Sequence, residues 1–135
     1  MSSACTIRPF APPDADAVRR LLAANGWASR VESDEDFAAT LKHAQLKLVA
    51  WDAEAACVAG FLGGFSDGVA NGFISMVVVA ASHRGRGIGR DLVRAAIGTD
   101  ERITWVLRSR EAVGGFYEAL GFRRSEVAME RKGRH

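Results

Sequence analysis

The chain has 135 residues, of which 48% are hydrophobic and 25% charged, and a formal net charge of +2. That length suits one domain, residues 1–135, with a core of its own, and the apolar-to-charged balance excludes a disordered or fibrous chain. The near-neutral charge argues against a nucleic-acid surface, and the arginines gather locally: Arg84, Arg86 and Arg90 in one turn, Arg123, Arg124, Arg131 and Arg134 near the end.

The first residues lack a basic start followed by an apolar run, and no stretch reaches the length of a membrane span. Cys5 and Cys57 are too few for a disulfide scaffold, and no His or Cys stands at the spacing of a structural zinc site. A cytoplasmic setting with free thiols, no membrane partner and no metal is expected.

In chain order, Thr6 to Arg8 reads as a short first strand. Pro12, Pro13 and Asp14 open a helix with Val18, Leu21 and Leu22 on one face, and Asn25-Gly26 ends it. Ser33 starts a second helix, with Asp36 at capping-box spacing and Phe37, Leu41 and Ala44 following at helical intervals. Leu46 to Trp51 and Ala56 to Phe65 read as two strands of a hairpin, and Asp67-Gly68 and Asn71-Gly72 mark the next reversal.

Phe73 to Ala80 is an almost unbroken apolar run, as a central strand covered on both faces requires. Beyond a glycine-rich turn, Ile88, Leu92, Val93, Ala96 and Ile97 form a helical stripe, and Ile103 to Leu107 reads as another buried strand, parallel to the first by the crossover rule. Val113, Phe116, Tyr117 and Leu120 share one face of a short helix that Gly121 stops, and Val127 to Arg131 is expected as a last strand. The fold class is α/β with a mixed central sheet.

The turn His83 to Arg90 lies between the most apolar strand and an amphipathic helix. Its glycines expose backbone amides at a helix N-terminus and its arginines add charge-assisted donors, the combination that holds a phosphate or pyrophosphate. A P-loop is excluded, since no Gly-Lys-Ser or Gly-Lys-Thr follows at the required spacing. A dinucleotide fingerprint fits poorly, because Arg90 or Leu92 takes the place of its third glycine.

Arg84, Gly87 and Gly89 satisfy a pattern of Arg or Gln, two residues, Gly, one residue, Gly or Ala. The longer run Val79 to Gly89 matches VxxxxRGxGIG, and Phe116 to Phe122 reads FYEALGF. With these two motifs the chain resembles the GCN5-related N-acetyltransferase (GNAT) family over about Gly60 to Met129, with a single mixed sheet flanked by helices on both faces.

The resemblance implies transfer of acetyl from acetyl-coenzyme A, as cosubstrate, to a primary amine on a small molecule or peptide. It implies that the backbone amides of Gly85, Arg86, Gly87, Ile88, Gly89 and Arg90, with the Arg84 side chain, hold the pyrophosphate. Val77 and Val79 would offer backbone groups to the pantetheine arm where the two parallel strands splay. Tyr117 would be the general acid for the departing thiolate, and the Val77 amide would meet the oxyanion.

Where family members often carry Asn and Ala, seven and four residues before the tyrosine, this chain has Arg110 and Val113. No general base is evident, since the central strand offers only Ser75 where some family members place a Glu; Asp67, Glu32, Asp34 and His43 are the options, and a water chain is another. The segment Trp27 to Asp36 would wall the acceptor pocket. A catalytically silent acetyl-coenzyme A-binding regulatory module is the alternative reading, and homodimerisation through the sheet edge or final strand stays open.

Overall fold

The computed structural model describes residues 5–109 and 114–134. Five strands, β1 (Thr6–Pro9), β2 (Leu46–Asp52), β3 (Cys57–Ser66), β4 (Asn71–Val79) and β5 (Thr104–Leu107), form one sheet in chain order. The first three pairings are antiparallel: β1 returns to β2 through the helical segment 10–45, and short turns join β2 to β3 and β3 to β4, whereas the helical crossover after β4 makes β4 and β5 parallel. In the β3–β4 reversal, Asp67 Oδ1 accepts the N–H groups of Val69, Ala70 and Asn71 at 2.8 to 3.0 Å.

Helices cover both faces, as the sequence leads one to expect. Against one face lie α1 (Ala15–Leu22), α2 (Ala28–Val31) and α3 (Asp34–His43), where Val18, Leu22, Val31 and Phe37 pack on Val49, Phe61, Met76 and Val78. Against the other lies α4 (Ile88–Ile97), whose Ile88, Leu92 and Val93 pack on Ala50, Ala59, Leu62 and Ile74. Leu92 is completely buried. Leu92→Ala is expected to cost about 2–5 kcal/mol, through lost burial and the cavity left behind, measurable by urea unfolding.

The α1 segment follows a turn of 3₁₀ helix at Pro12–Asp14. Asp14 binds the Arg8 guanidinium through both carboxylate oxygens, at 2.8 and 2.9 Å, and accepts the Ala11 N–H at 2.8 Å, tying β1 to the helix. The chain leaves helical geometry at Asn25 and Gly26, as expected, and Ser33 Oγ accepts the Asp36 N–H at the start of α3. The short α2 between them is an addition to the sequence reading; its four residues are too few to show a helical period.

The hydrogen bond from Arg8 is the main cause holding the Asp14 carboxyl below its ordinary value of 3.8. Asp67 is lowered chiefly by the backbone N–H of Asn71. A carboxyl depressed in the folded state stabilises the fold above its unfolded pKa, and that contribution is lost as pH falls through the folded value. The thermal midpoint is therefore expected to hold from neutrality to about pH 5 and to fall at lower pH, with a shallower fall in Asp14→Asn.

Three expectations need correction. β5 is only half-buried, with Thr104 and Val106 exposed, because it is the sheet edge. The last helix, α5, spans Gly114–Glu118, ahead of Gly121 at φ 93°; Arg110 and Val113 lie outside the described residues. Val127 to Arg131 forms no strand: Ser125 Oγ takes the N–H groups of Val127 and Ala128 in a local turn, and the Val127 and Met129 side chains are exposed.

Candidate active site

β4 carries an irregularity that sets the site. Gly63 pairs with Met76 and Gly64 with Ile74, so Ser75 is an extra residue in β4, a β-bulge. The bulge exchanges the faces. Ile74 belongs to the cluster under α4, but Met76 and Val78 belong to the cluster under α1. Ser75 donates its hydroxyl to Gly63 O at 3.0 Å, inside the bulge. A Cβ at Gly64 would lie 2.4 Å from Phe73 O, so only glycine permits this close strand approach.

The β4–β5 pairing runs from Asn71–Thr104 to Ile74–Leu107 and stops at the bulge. Beyond it β4 continues to Val79 with no strand on that side among the described residues. Ala80 N–H donates to Ala59 O, so the alternation of a strand turns the backbone of Val78 toward β3 and that of Val77 and Val79 toward the open edge. Arg84 Nε, at 3.4 Å from Val79 O, marks that direction. Two β4 residues thus offer backbone groups to a gap between parted parallel strands.

The gap leads to the glycine-rich turn. Gly85 and Gly87 have φ of 79° and 81°, the left-handed region that L side chains avoid, and Gly87 is the N-cap of α4. Asp91 N–H reaches Gly87 O at 3.0 Å, the first amide of α4 to find a backbone acceptor; the N–H groups of Ile88, Gly89 and Arg90 have none among the described residues. With the positive end of the helix dipole, these unpaired amides make a cradle of positive potential at the start of α4.

The arginines behave differently from one another. Arg84 donates to Asn25 Oδ1, three residues past the end of α1, and so ties the turn to the segment that follows that helix. Arg90 bends back over Gly87, where an added Cβ would meet its guanidinium at 2.5 Å, and pairs with Asp91 at 3.3 Å. The exposed Arg86 side chain makes no hydrogen bond or ion pair among the described residues. Asn25 is a contact that sequence reading missed, since 59 residues separate it from Arg84 and no local pattern joins them.

Tyr117 lies on α5 and packs on the cluster that also holds Val77 and Val79. Its ring meets Phe116 and Phe122 edge-on, with centroids 4.9 and 5.9 Å away. Phe116 rests near Gly89 and Val79, so α5 closes over the mouth of the cradle. Burial pushes the Tyr117 phenol above 10.0, and its hydroxyl makes no hydrogen bond among the described residues. At neutral pH the group is therefore a protonated, uncommitted donor.

The carboxylates considered as bases are placed less favourably. Asp67 is consumed by the reversal it organises, and Asp34 pairs with Arg19 at 2.6 Å. A second polar group stands behind the cradle. Asp52 accepts the Glu54 and Ala55 N–H groups through Oδ1, and its Oδ2 lies 2.8 Å from Nε2 of buried His83, next to Arg84. The His83 hydrogen bond is the largest cause holding the Asp52 carboxyl below its ordinary value.

A mixed α/β sheet thus places a bulged central strand, parting from its parallel neighbour, beside a glycine-rich helix start. An acetyltransferase (GNAT) domain model matches residues 44–124, more than half of the chain. The chain belongs to that acetyltransferase family.

Solved structures agree. An acetyltransferase from Trypanosoma brucei is 26% identical, with 95% of this chain and 99% of that one covered and a TM-score of 0.72. A glucosamine-6-phosphate N-acetyltransferase from Arabidopsis thaliana shares the fold at 18% identity, with 96% and 99% covered and a TM-score of 0.68. A GNAT family N-acetyltransferase from Escherichia coli, solved in complex with CoA, does so at 22% identity, with 89% and 69% covered and a TM-score of 0.70. A search of curated proteins finds no match. Among the described residues, no helix is long and apolar enough to cross a membrane.

Proposed function

We propose that the protein transfers acetyl from acetyl-coenzyme A to a primary amine by direct attack. The observation that carries this reading is the end of β4–β5 pairing at Ile74–Leu107, which leaves the Val77–Val79 edge of β4 open between the parted strands and the turn that carries the free amides of the α4 N-terminus. A pyrophosphate on Gly85 to Arg90 would send the pantetheine arm along the open edge, bonded to Val77 and Val79. The CoA-bound E. coli neighbour supports a coenzyme A ligand for this fold.

In this pose the thioester carbonyl meets the Val77 amide, which stabilises the oxyanion formed when the amine attacks. Collapse of that intermediate breaks the C–S bond and leaves a thiolate with a conjugate-acid pKa of about 8.5, and Tyr117 supplies its proton. The amine loses its proton to a water chain; of the groups considered as bases, Asp67 and Asp34 are engaged elsewhere. The Arabidopsis neighbour is an N-acetyltransferase of glucosamine-6-phosphate, which supports nitrogen as the acceptor atom. The segment from Trp27 to Asp36 borders the acceptor side.

Isothermal titration of the full chain with acetyl-coenzyme A and with coenzyme A tests the donor. Micromolar binding of both supports the reading, and absence of binding by folded protein removes it. Thiol release in a screen of amines then identifies the acceptor class. Arg84→Ala is expected to weaken coenzyme A about tenfold, through loss of one charge-assisted contact and of the Asn25 bridge.

A further inference from the structure

Asp52, Cys57 and His83 meet from three parts of the chain that the acyl-transfer reading does not use. Asp52 ends β2, Cys57 opens β3 as its cross-strand partner, and His83 closes the turn after β4. One donor atom from each, a carboxylate oxygen, a thiol sulfur and an imidazole nitrogen, lies within 4.8 Å of the other two. Asp52 and His83 are buried, and Cys57 is half-buried.

Two of the three donors, Asp52 and His83, are oriented from behind. The two N–H groups on Asp52 Oδ1, from Glu54 at 3.0 Å and Ala55 at 3.1 Å, leave Oδ2 directed at His83 Nε2. Ser82 Oγ stands 2.8 Å from the other ring nitrogen, Nδ1. Without metal, Nε2–H donates to Asp52 Oδ2; shifting the ring proton to Nδ1, where it donates to Ser82 Oγ, frees the Nε2 lone pair for an ion between Asp52 and Cys57. Metal-binding imidazoles are held in this way, by a hydrogen bond on the nitrogen that does not ligate.

We propose that Asp52 Oδ2, Cys57 Sγ and His83 Nε2 bind a transition-metal ion of the zinc class. Thiolate, imidazole and carboxylate together suit zinc, whereas magnesium and calcium take oxygen ligands. The ion enters between Oδ2 and Nε2, replacing their 2.8 Å contact, and Cys57 releases its thiol proton to solvent. Three protein ligands leave one tetrahedral position for water or a fourth group. Cys5, which precedes the Thr6 partner of Trp51, comes level with Asp52 on β1.

This site departs from the expectation of no metal. That expectation rested on local ligand spacing, and here 31 residues separate Asp52 from His83.

The test is calorimetric titration of the tag-free full chain with zinc chloride, together with absorption spectra of the cobalt(II) form. We expect one equivalent bound with micromolar or tighter affinity, proton release, and a near-ultraviolet thiolate-to-cobalt band. Cys57→Ser should abolish that band, and both it and His83→Gln should weaken zinc at least about tenfold, with circular dichroism checking the fold. If His83→Gln does not fold, Cys57→Ser, which exchanges one atom, decides alone. Failure of the folded wild type to bind at about 100 μM zinc, or unchanged affinity in a folded variant, overturns the site and leaves a plain Asp52–His83 hydrogen bond.

Discussion

Gly87→Glu is expected to weaken coenzyme A binding by at least about 100-fold, or about 2.7 kcal/mol, while the chain still folds. Two independent effects add. Gly87 has φ of 81°, where an L residue costs about 1–2 kcal/mol, and an added Cβ would press on the Arg90 guanidinium at 2.5 Å. The new carboxylate would also stand at the N-terminus of α4, where the incoming pyrophosphate needs positive potential. Calorimetry with coenzyme A measures the affinity, and circular dichroism checks the fold. Gly87→Ala separates the effects: it keeps the backbone strain without the charge and should lose only about tenfold. Equal binding by wild type and Gly87→Glu would place the coenzyme elsewhere.

Tyr117→Phe is expected to lower kcat about 10²- to 10³-fold with little change in KM for acetyl-coenzyme A. Removing the hydroxyl leaves the ring contacts with Phe116 and Phe122 in place, so packing is retained. What is lost is the proton for the departing thiolate. Because burial raises the phenol above 10.0, the acid stays protonated through neutrality, and wild-type kcat should show no fall attributable to it until pH exceeds that value. A variant with unchanged kcat would assign the proton to water and return Tyr117 to a packing role. Stopped turnover with intact coenzyme affinity is the pattern that separates an acid from a binding residue.

The secondary structure was legible where one element carried its own periodicity. The stripe Ile88, Leu92, Val93 needs no partner to be recognised as a helix face, and it is the face that α4 buries. The Asp67-Gly68 and Asn71-Gly72 pairs locate the reversal, because the turn's hydrogen bonds run between residues two to four apart. The expected final strand at Val127 to Arg131 failed for the complementary reason. Alternating apolar residues permit a strand, but pairing needs a neighbour, and the Ser125 hydroxyl satisfies two of the segment's N–H groups instead.

For the site, the glycines and arginines of the cradle were visible as a contiguous motif, and the family match to residues 44–124 agrees with the part of the chain that carried the resemblance. The bulge at Ser75 was not visible. It exists because two strands of unequal local length are forced into one ladder, a property of the pair and of neither sequence alone. The Asn25 contact to Arg84 and the convergence of Asp52, Cys57 and His83 have the same origin.

By itself, then, the sequence determined what depends on near neighbours: the helix faces, the tight turns, the positive-φ glycines and the glycine-rich start of α4. Tertiary structure decided how far β4 and β5 stay paired, which way Val77 and Val79 turn their backbone groups, and which side chains meet across the sheet. The physical reason is range. Local propensities and hydrogen bonds act over a few residues, whereas pairing register and burial are set by the chain as a whole.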